Sequence, residues 1–269
     1  MRVPVVAVLG RKDSGKTLVI ENLVRGLKEQ GFRVATAKHV NLEGFSLDEE
    51  GRDTWRHAVA GANPVVCVSD VEMAVLIRDG MKKFSLDSLF RFVAGVDIVF
   101  LEGFSKLVLE NEEVGKVFCV RDQEEYEGYR QGVKGETLAF CSRQPLKEPI
   151  LRIMEDWETV FKRVVSFIEK ERRVSEILDA LAGLDCRKCG YKTCRELAVA
   201  IHMKKAKLSD CLPLKLKPRL ETRIIINGVE VLIQPFVSRI VRNSILGMVS
   251  SLKGVSLKGD EKVCVEISR

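Results

Sequence analysis

Residues 3–9 form an unbroken apolar run, the pattern of a strand buried on both faces of a parallel sheet. A helical spacing follows from Gly15, with Leu18, Leu23, Val24 and Leu27 on its inner face and a stop near Gly31. Residues 32–37 give the next strand, which ends at Lys38-His39. Strand, glycine loop, helix and strand in this order make a βαβ unit with an expected right-handed crossover. A polar segment at 41–56 comes next. Apolar runs at 64–68, 74–77, 96–101, 117–120 and 138–141 follow, with helical spacing between some of them, as at 86–93. Alternation of this kind predicts an α/β fold with a mainly parallel sheet. A helix over 155–172, with Trp157, Val160, Phe161, Val164 and Ile168 on one stripe, closes that domain.

The pattern changes after residue 173. A short helical segment at 174–182 leads into a cysteine cluster, and Pro213 and Pro218 punctuate a linker. Residues 224–226 and 229–233 flank Asn227-Gly228, the preferred pair for a two-residue type I′ hairpin. Pro235 suits the first turn of a helix running to about residue 252. Residues 264–267 are read as a last strand. The expected organisation is a nucleotide-binding domain (1–173), a four-cysteine module (174–215) and a hairpin–helix region (216–269). The last two form a small α+β part.

The glycine loop carries the strongest chemistry. Gly10-Arg11-Lys12-Asp13-Ser14-Gly15-Lys16-Thr17 matches the P-loop pattern at every fixed position, after a strand and before a helix. Gly10 lets the chain turn without a Cβ, and Gly15 lets the backbone approach a phosphate. Successive N–H groups, from Lys12 and Asp13 through Ser14 to Leu18, then face the anion at a helix N-terminus. Lys16 is expected to reach the β- and γ-phosphates, and the Thr17 hydroxyl to ligate Mg²⁺. The fold expected is the three-layer α/β/α arrangement of P-loop NTPases.

An acid on the Mg²⁺ side belongs at the C-terminal end of a neighbouring strand. Asp97 and Glu102 bracket one strand, roughly 16 Å apart at about 3.3 Å per residue. Glu102 leaves the strand at the phosphate end and is chosen; Asp97 reads as a strand-entry turn residue. Lys16 and Glu102 are therefore the candidate catalytic pair, and Thr17 and Glu102 the candidate Mg²⁺ ligands. Lys38 and His39 end the second strand at the same rim and are candidates for contacting phosphate or orienting a water. Asp48, Asp53 and Arg56 lie in the polar segment and could form a loop that senses γ-phosphate.

Eight cysteines are present. Cys67, Cys119, Cys141 and Cys264 stand singly in apolar runs and read as small buried hydrophobes. The others are spaced Cys186-x2-Cys189-x4-Cys194-x16-Cys211. In a cytosolic chain such a cluster points to metal rather than disulfides. Four thiolates without His suit Zn²⁺ or an iron–sulfur cluster. The three-plus-one spacing favours [4Fe–4S] over the paired knuckles of structural zinc; unligated thiols are the remaining reading.

Charge narrows the partners. Seven basic residues between Met203 and Arg223, against Asp210 and Glu221, give a local net charge of +5. No aromatic residue interleaves there to stack on bases, so nucleic acid is not expected. With Arg187, Lys188 and Lys192 the stretch could offset the negative charge of a cluster and raise its reduction potential. No apolar run reaches the roughly 18 residues of a membrane span. The apolar N-terminal stretch is too short for a signal peptide, and the expected location is the cytoplasm.

Five stretches in order resemble the molybdopterin-guanine dinucleotide biosynthesis protein B family. They are the P-loop, Lys38-His39, Asp48-Glu49-Glu50-Gly51-Arg52-Asp53-Thr54, Ala60-Gly61-Ala62 and Leu101-Glu102-Gly103-Phe104. The resemblance covers residues 1–145. It implies a homodimer that binds GTP, hydrolyses it weakly at most, and acts beside the molybdopterin guanylyltransferase or a molybdoenzyme. It places phosphate and Mg²⁺ on Gly15, Lys16 and Thr17, with Glu102 on the Mg²⁺ side, and matches Asp48 and Asp53 to acidic positions. The family often has a second His soon after Lys-His; here Asn41 and Glu43 occupy that region. Residues 183–213, with Cys-x2-Cys-Gly-x3-Cys, Ala198 and Asp210-Cys211-Leu212-Pro213, resemble the four-cysteine [4Fe–4S] domain of corrinoid iron–sulfur proteins and of some electron-transport subunits, which would give the chain redox sensing, electron transfer to a redox partner, or partner docking. The residues themselves leave a second reading open, an ATP-dependent metallochaperone or iron–sulfur assembly or electron-transfer protein, because no Asn-Lys-x-Asp guanine-reading motif is present.

Overall fold

A computed structural model describes residues 3–78, 84–215, 222–231 and 233–252, with Val255 and Cys264. It divides into two compact units, Arg2–Arg172 and Arg173–Arg269.

The first unit is built on six parallel strands: β1 (Val5–Leu9), β2 (Val34–Lys38), β5 (Ile98–Glu102), β6 (Val114–Cys119), β7 (Thr137–Ser142) and β8 (Leu151–Arg152). Their order is β2-β5-β1-β6-β7-β8, and every neighbouring pair is parallel. The continuous apolar run of β1 has a physical use here. Val6 and Val8 point into one core, while Val5, Ala7 and Leu9 point into a second core on the opposite face. Ile98 and Phe100 of β5 likewise serve the first core, Val99 and Leu101 the second. A strand with no polar face needs a helical layer on each side.

Helix α1 (Lys16–Glu29) covers the first face with Val19, Ile20, Leu23 and Leu27 buried. It shares that core with Val160, Val164, Phe167 and Ile168 of α6 (Trp157–Ala180). The short helices α3 (Leu86–Phe90), α4 (Ser105–Val108) and α5 (Gln123–Arg130) cover the second face, through Leu89, Val108 and Tyr126. The result is the expected three-layer α/β/α sandwich. Helix α6 runs on to Ala180, past the end expected at residue 172.

The runs at 64–68 and 74–77 do not join the sheet. They form a separate antiparallel ribbon, β3 (Val65–Val68) with β4 (Met73–Leu76), next in chain order to α2 (Asp53–Val59). Val66, Val68, Met73 and Val75 are exposed on it. Cys67 lies on this ribbon and is exposed, and Cys264 is exposed too. Burial therefore holds for Cys119 and Cys141 alone among the four isolated cysteines, because only those two lie in strands with helices on both faces.

Lys116 is fully buried in β6 and donates to the carbonyls of Asn111, Val114 and Lys134 at 2.7–2.8 Å. Burial pushes its ammonium down to about 8.

The second unit gathers around Val174, Leu181, Leu197 and Ala198. Helix α7 (Cys194–His202) is capped by Thr193, whose hydroxyl accepts the Glu196 N–H at 3.1 Å. A 3₁₀ turn (Leu208–Asp210) and α8 (Leu212–Lys215) flank Cys211. Strands β9 (Ile224–Ile226) and β10 (Val229–Val231) form the antiparallel hairpin, with Asn227 and Gly228 at φ 51° and 79° as a type I′ turn requires. Helix α9 (Pro235–Ser250) has its proline in the first turn. The strand expected at 264–267 lies outside the described residues apart from Cys264. No helix of the described residues is long and apolar enough to cross a membrane.

Candidate functional site

The P-loop joins β1 to α1 at the C-terminal edge of the sheet. Gly10 has φ 147°, and a Cβ there would lie 2.2 Å from the Cys119 carbonyl oxygen. Gly15 has φ 99°, and its Cβ would lie 2.6 Å from Ile153 Cδ1. At Gly10 the backbone of β6 leaves no room for a side chain; at Gly15 the positive φ disfavours one, and the Ile153 side chain fills the space it would enter. Asp13 takes a left-handed φ of 62°.

The first turn of α1 has no side-chain cap and no acidic residue. Its leading N–H groups, with the positive end of the helix dipole, are thus left for an external anion. The Lys16 ammonium folds back onto the Arg11 carbonyl at 2.5 Å, and the Ser14 hydroxyl donates to the same oxygen at 2.9 Å. Lys12 is exposed on the loop.

Glu102 ends β5 beside Val8 of β1 and Lys38 of β2 in register. Its carboxylate is 13% exposed and sits 3.0 Å from the Lys38 ammonium. The same oxygen, Oε1, accepts the Thr17 hydroxyl at 3.2 Å. The His39 N–H donates to the Glu102 carbonyl at 3.0 Å, and its ring lies 5.3 Å from that of Phe104. Lys16, Thr17, Lys38, His39 and Glu102 therefore share one rim, with Leu18 next along α1.

Asp97 stands at the opposite end of β5. Arg33 holds it through a backbone N–H at 2.8 Å and two guanidinium bonds at 3.2 and 3.3 Å. Those hydrogen bonds keep the Asp97 carboxyl below its ordinary pKa. Asp48 and Asp53 are held by neighbours in and near their own segment. The Asp48 carboxylate, 5% exposed, accepts from Thr54 at 2.7 Å and pairs with Arg78 at 2.9 Å. Asp53 is exposed and pairs with Arg56 at 3.7 Å.

Two neighbours of the loop have no signature in sequence. The carboxylate of Glu125, 4% exposed, pairs with Arg11 of the loop at 3.4 Å and with Arg121 at 2.6 Å. Beside it lies a cavity of about 530 Å³ lined by Arg11, Asp122, Glu124, Glu125 and Tyr129. On the far side of the loop Arg143, just beyond β7, comes within 3.3 Å of the Cβ position of Gly15. Such contacts depend on strand order, which local spacing does not encode.

In the second unit, Cys194 and Cys211 are buried in one small core against which Cys189 packs, and Cys186 is half-buried. Arg187 and Gly190 close a turn through a backbone bond of 3.0 Å, with φ 60° and 87°. The Cys194 N–H donates to Asp185 Oδ1 at 2.5 Å, and the Asp185 N–H points to Cys194 Sγ at 3.3 Å. Among the described residues no three His, Cys, Asp or Glu side chains converge closely enough to hold a metal ion. The donor set still fits a thiolate-ligated centre: four cysteines, three of them drawn into one apolar core, on loops with positive-φ turns. Convergence of such ligands is coupled to binding of the metal itself.

Residues 5–135 match the family described as "Molybdopterin guanine dinucleotide synthesis protein B", and residues 181–213 match the family described as "Putative Fe-S cluster". The "Putative molybdopterin-guanine dinucleotide biosynthesis adapter protein" of Methanocaldococcus jannaschii is 29% identical over 267 residues, 98% of each chain. The "Molybdopterin-guanine dinucleotide biosynthesis adapter protein" of Haemophilus influenzae is 31% identical over 122 residues, 43% of this chain and 67% of its own. The crystal structure of Bacillus subtilis MobB is 26% identical, covering 61% of this chain and 97% of its own with a TM-score of 0.47. The likeness of the second unit to corrinoid proteins has no counterpart among these matches. By its first 135 residues, the chain belongs to the molybdopterin guanine dinucleotide synthesis protein B family.

Proposed function

We propose that this chain is a GTP-binding adapter in the assembly of molybdopterin guanine dinucleotide, carrying a [4Fe–4S] cluster in its second unit. The observation that carries the nucleotide part is the uncapped, acid-free N-terminus of α1 facing the Thr17–Glu102–Lys38 group. An anion supplied there completes the helix end. Thr17 and Glu102 would hold Mg²⁺, and Lys16 would leave the Arg11 carbonyl for the terminal phosphates. Any hydrolysis is slow and rests on positioning and charge stabilisation by Lys16 and Mg²⁺. The relatives named as adapters support a role beside the enzyme that attaches the nucleotide, and the exposed valines of the β3–β4 ribbon support a homodimer.

Cys186, Cys189, Cys194 and Cys211 would hold the cluster, which supplies one-electron chemistry when bound. The exposed side chains of Arg187 and Lys188 lie in the same loop and balance its charge.

Titration calorimetry of GTP into wild type and Lys16→Ala tests the reading. Wild type is expected to bind in the presence of Mg²⁺ and the variant to lose tight triphosphate binding. Equal affinities would overturn it.

A further inference from the structure

Arg143 stands where the strand order directs the far end of a bound nucleotide. Thr17 and Glu102 mark the Mg²⁺ side of the loop, and Glu102 lies on β5, on one flank of β1. Strands β6 and β7 lie on the other flank. A nucleotide with its phosphates at the start of α1 and its terminal phosphate toward Glu102 extends its nucleoside toward the ends of β6 and β7. This is the crevice outside the carboxyl ends of the strands.

At the end of β7, Ser142 builds a tight turn. Its hydroxyl accepts the Gln144 N–H at 3.2 Å, and its carbonyl accepts the Ile153 N–H at 3.0 Å. Arg143 leaves this turn with its stem against the P-loop: Cγ and Nε both lie 3.3 Å from the Cβ position of Gly15. The residue is exposed, yet among the described residues its guanidinium has no ion pair and no hydrogen bond. The other arginines of this edge are engaged. Arg11 and Arg121 hold Glu125, and Arg152 holds Glu155 at 3.1 Å.

We propose that Arg143 reads the base of the nucleotide and selects guanine over adenine. Guanine presents two adjacent acceptors, N7 and O6. Adenine presents N7 beside the N6 amino donor. Arginine offers donors only, in a planar fork, so it pairs bidentately with guanine and meets a donor on adenine. On the GTP reading above, and with no Asn-Lys-x-Asp motif in this chain, guanine is left to another group, and Arg143 is an exposed fork of the right chemistry at the end of β7. The proposal rests on the nucleotide-binding reading above.

Its test compares wild type, Arg143→Gln and Arg143→Lys in binding GTP, ATP and inorganic tripolyphosphate, each with Mg²⁺. For Arg143→Gln the affinity for GTP is expected to fall about tenfold or more, the ratio of GTP to ATP affinity to move toward one, and tripolyphosphate to bind as in wild type. Arg143→Lys, which keeps a donor, should retain part of the preference. An unchanged ratio overturns the proposal. So does an equal loss for all three ligands, which would place Arg143 on the phosphates. If wild type binds none of them, the nucleotide reading itself fails, an outcome separate from the Arg143 result.

Discussion

The Thr17 hydroxyl donates to Glu102 Oε1 at 3.2 Å, across 85 residues of sequence. The P-loop threonine and the acid at the end of β5 are thus already paired, and Lys38 closes on the same oxygen at 3.0 Å. Thr17 and Glu102 are the side chains expected to hold Mg²⁺. Glu102→Gln should therefore leave nucleotide binding with little Mg²⁺ dependence, a loss of about tenfold or more in affinity measured with the metal. Titrations with Mg²⁺ and with EDTA check this. A variant as Mg²⁺-responsive as wild type would remove Glu102 from the metal.

Gly10 makes a steeper demand. Any side chain there meets the Cys119 carbonyl at 2.2 Å while the backbone holds φ 147°. Backbone strain and overpacking each cost about 1–3 kcal/mol. Gly10→Ala should destabilise the first unit by about 2–4 kcal/mol on the same principles, seen as a lower urea midpoint. A midpoint equal to wild type would mean that β6 gives way easily.

Arg33 and Asp97 fasten the other end of β5. Hydrogen bonds from Arg33 lower the Asp97 pKa from its ordinary 3.8. The folded state therefore binds this proton less readily than the unfolded chain. The contribution of the pair is present above about pH 4 and is lost as pH falls through the depressed folded value. Arg33→Gln should remove that dependence, so the stability difference between wild type and variant shrinks as pH drops below 4. A difference constant from neutral pH down to acid would show that the pair acts through packing instead.

Strand direction made the placement of Glu102 at the P-loop end of β5 and of Asp97 at the other legible in the sequence, because the P-loop opens from the C-terminal end of β1. The period-two alternation inside β1 was equally readable, since an apolar run leaves no solvent face. Other features were not. Residues 64–68 and 74–77 are as apolar as the sheet strands, and only their pairing with each other, with Val66, Val68 and Met73 exposed, shows that they form a separate ribbon. The apolar spacing of α6 continues through Val164 and Ile168 to Val174 and Ile177, so the two helical segments expected at 155–172 and 174–182 are one helix that ends at Ala180. The meeting of Arg143 with Gly15, and of Arg11 with Glu125, joins residues more than a hundred positions apart in sequence. No local pattern announces such encounters.

Cys211 decides the nature of the second unit. It is buried, in the same core as Cys194, although 16 residues separate them in the chain. A long return of the backbone to bury a second thiol in the same core has two explanations: apolar packing alone, or ligation. Packing alone predicts that Cys211→Ser changes stability and nothing else. Ligation predicts that protein purified anaerobically from the variant holds less iron and sulfide than wild type. Cys67, exposed on the β3–β4 ribbon, provides the comparison, and Cys67→Ser should leave the metal content unchanged. Iron with matching sulfide in wild type, reduced in Cys211→Ser, fits a cluster on four thiolates. Zinc without sulfide would assign a structural site to the same ligands, and wild type free of both metals would leave packing as the reason for the cysteine core.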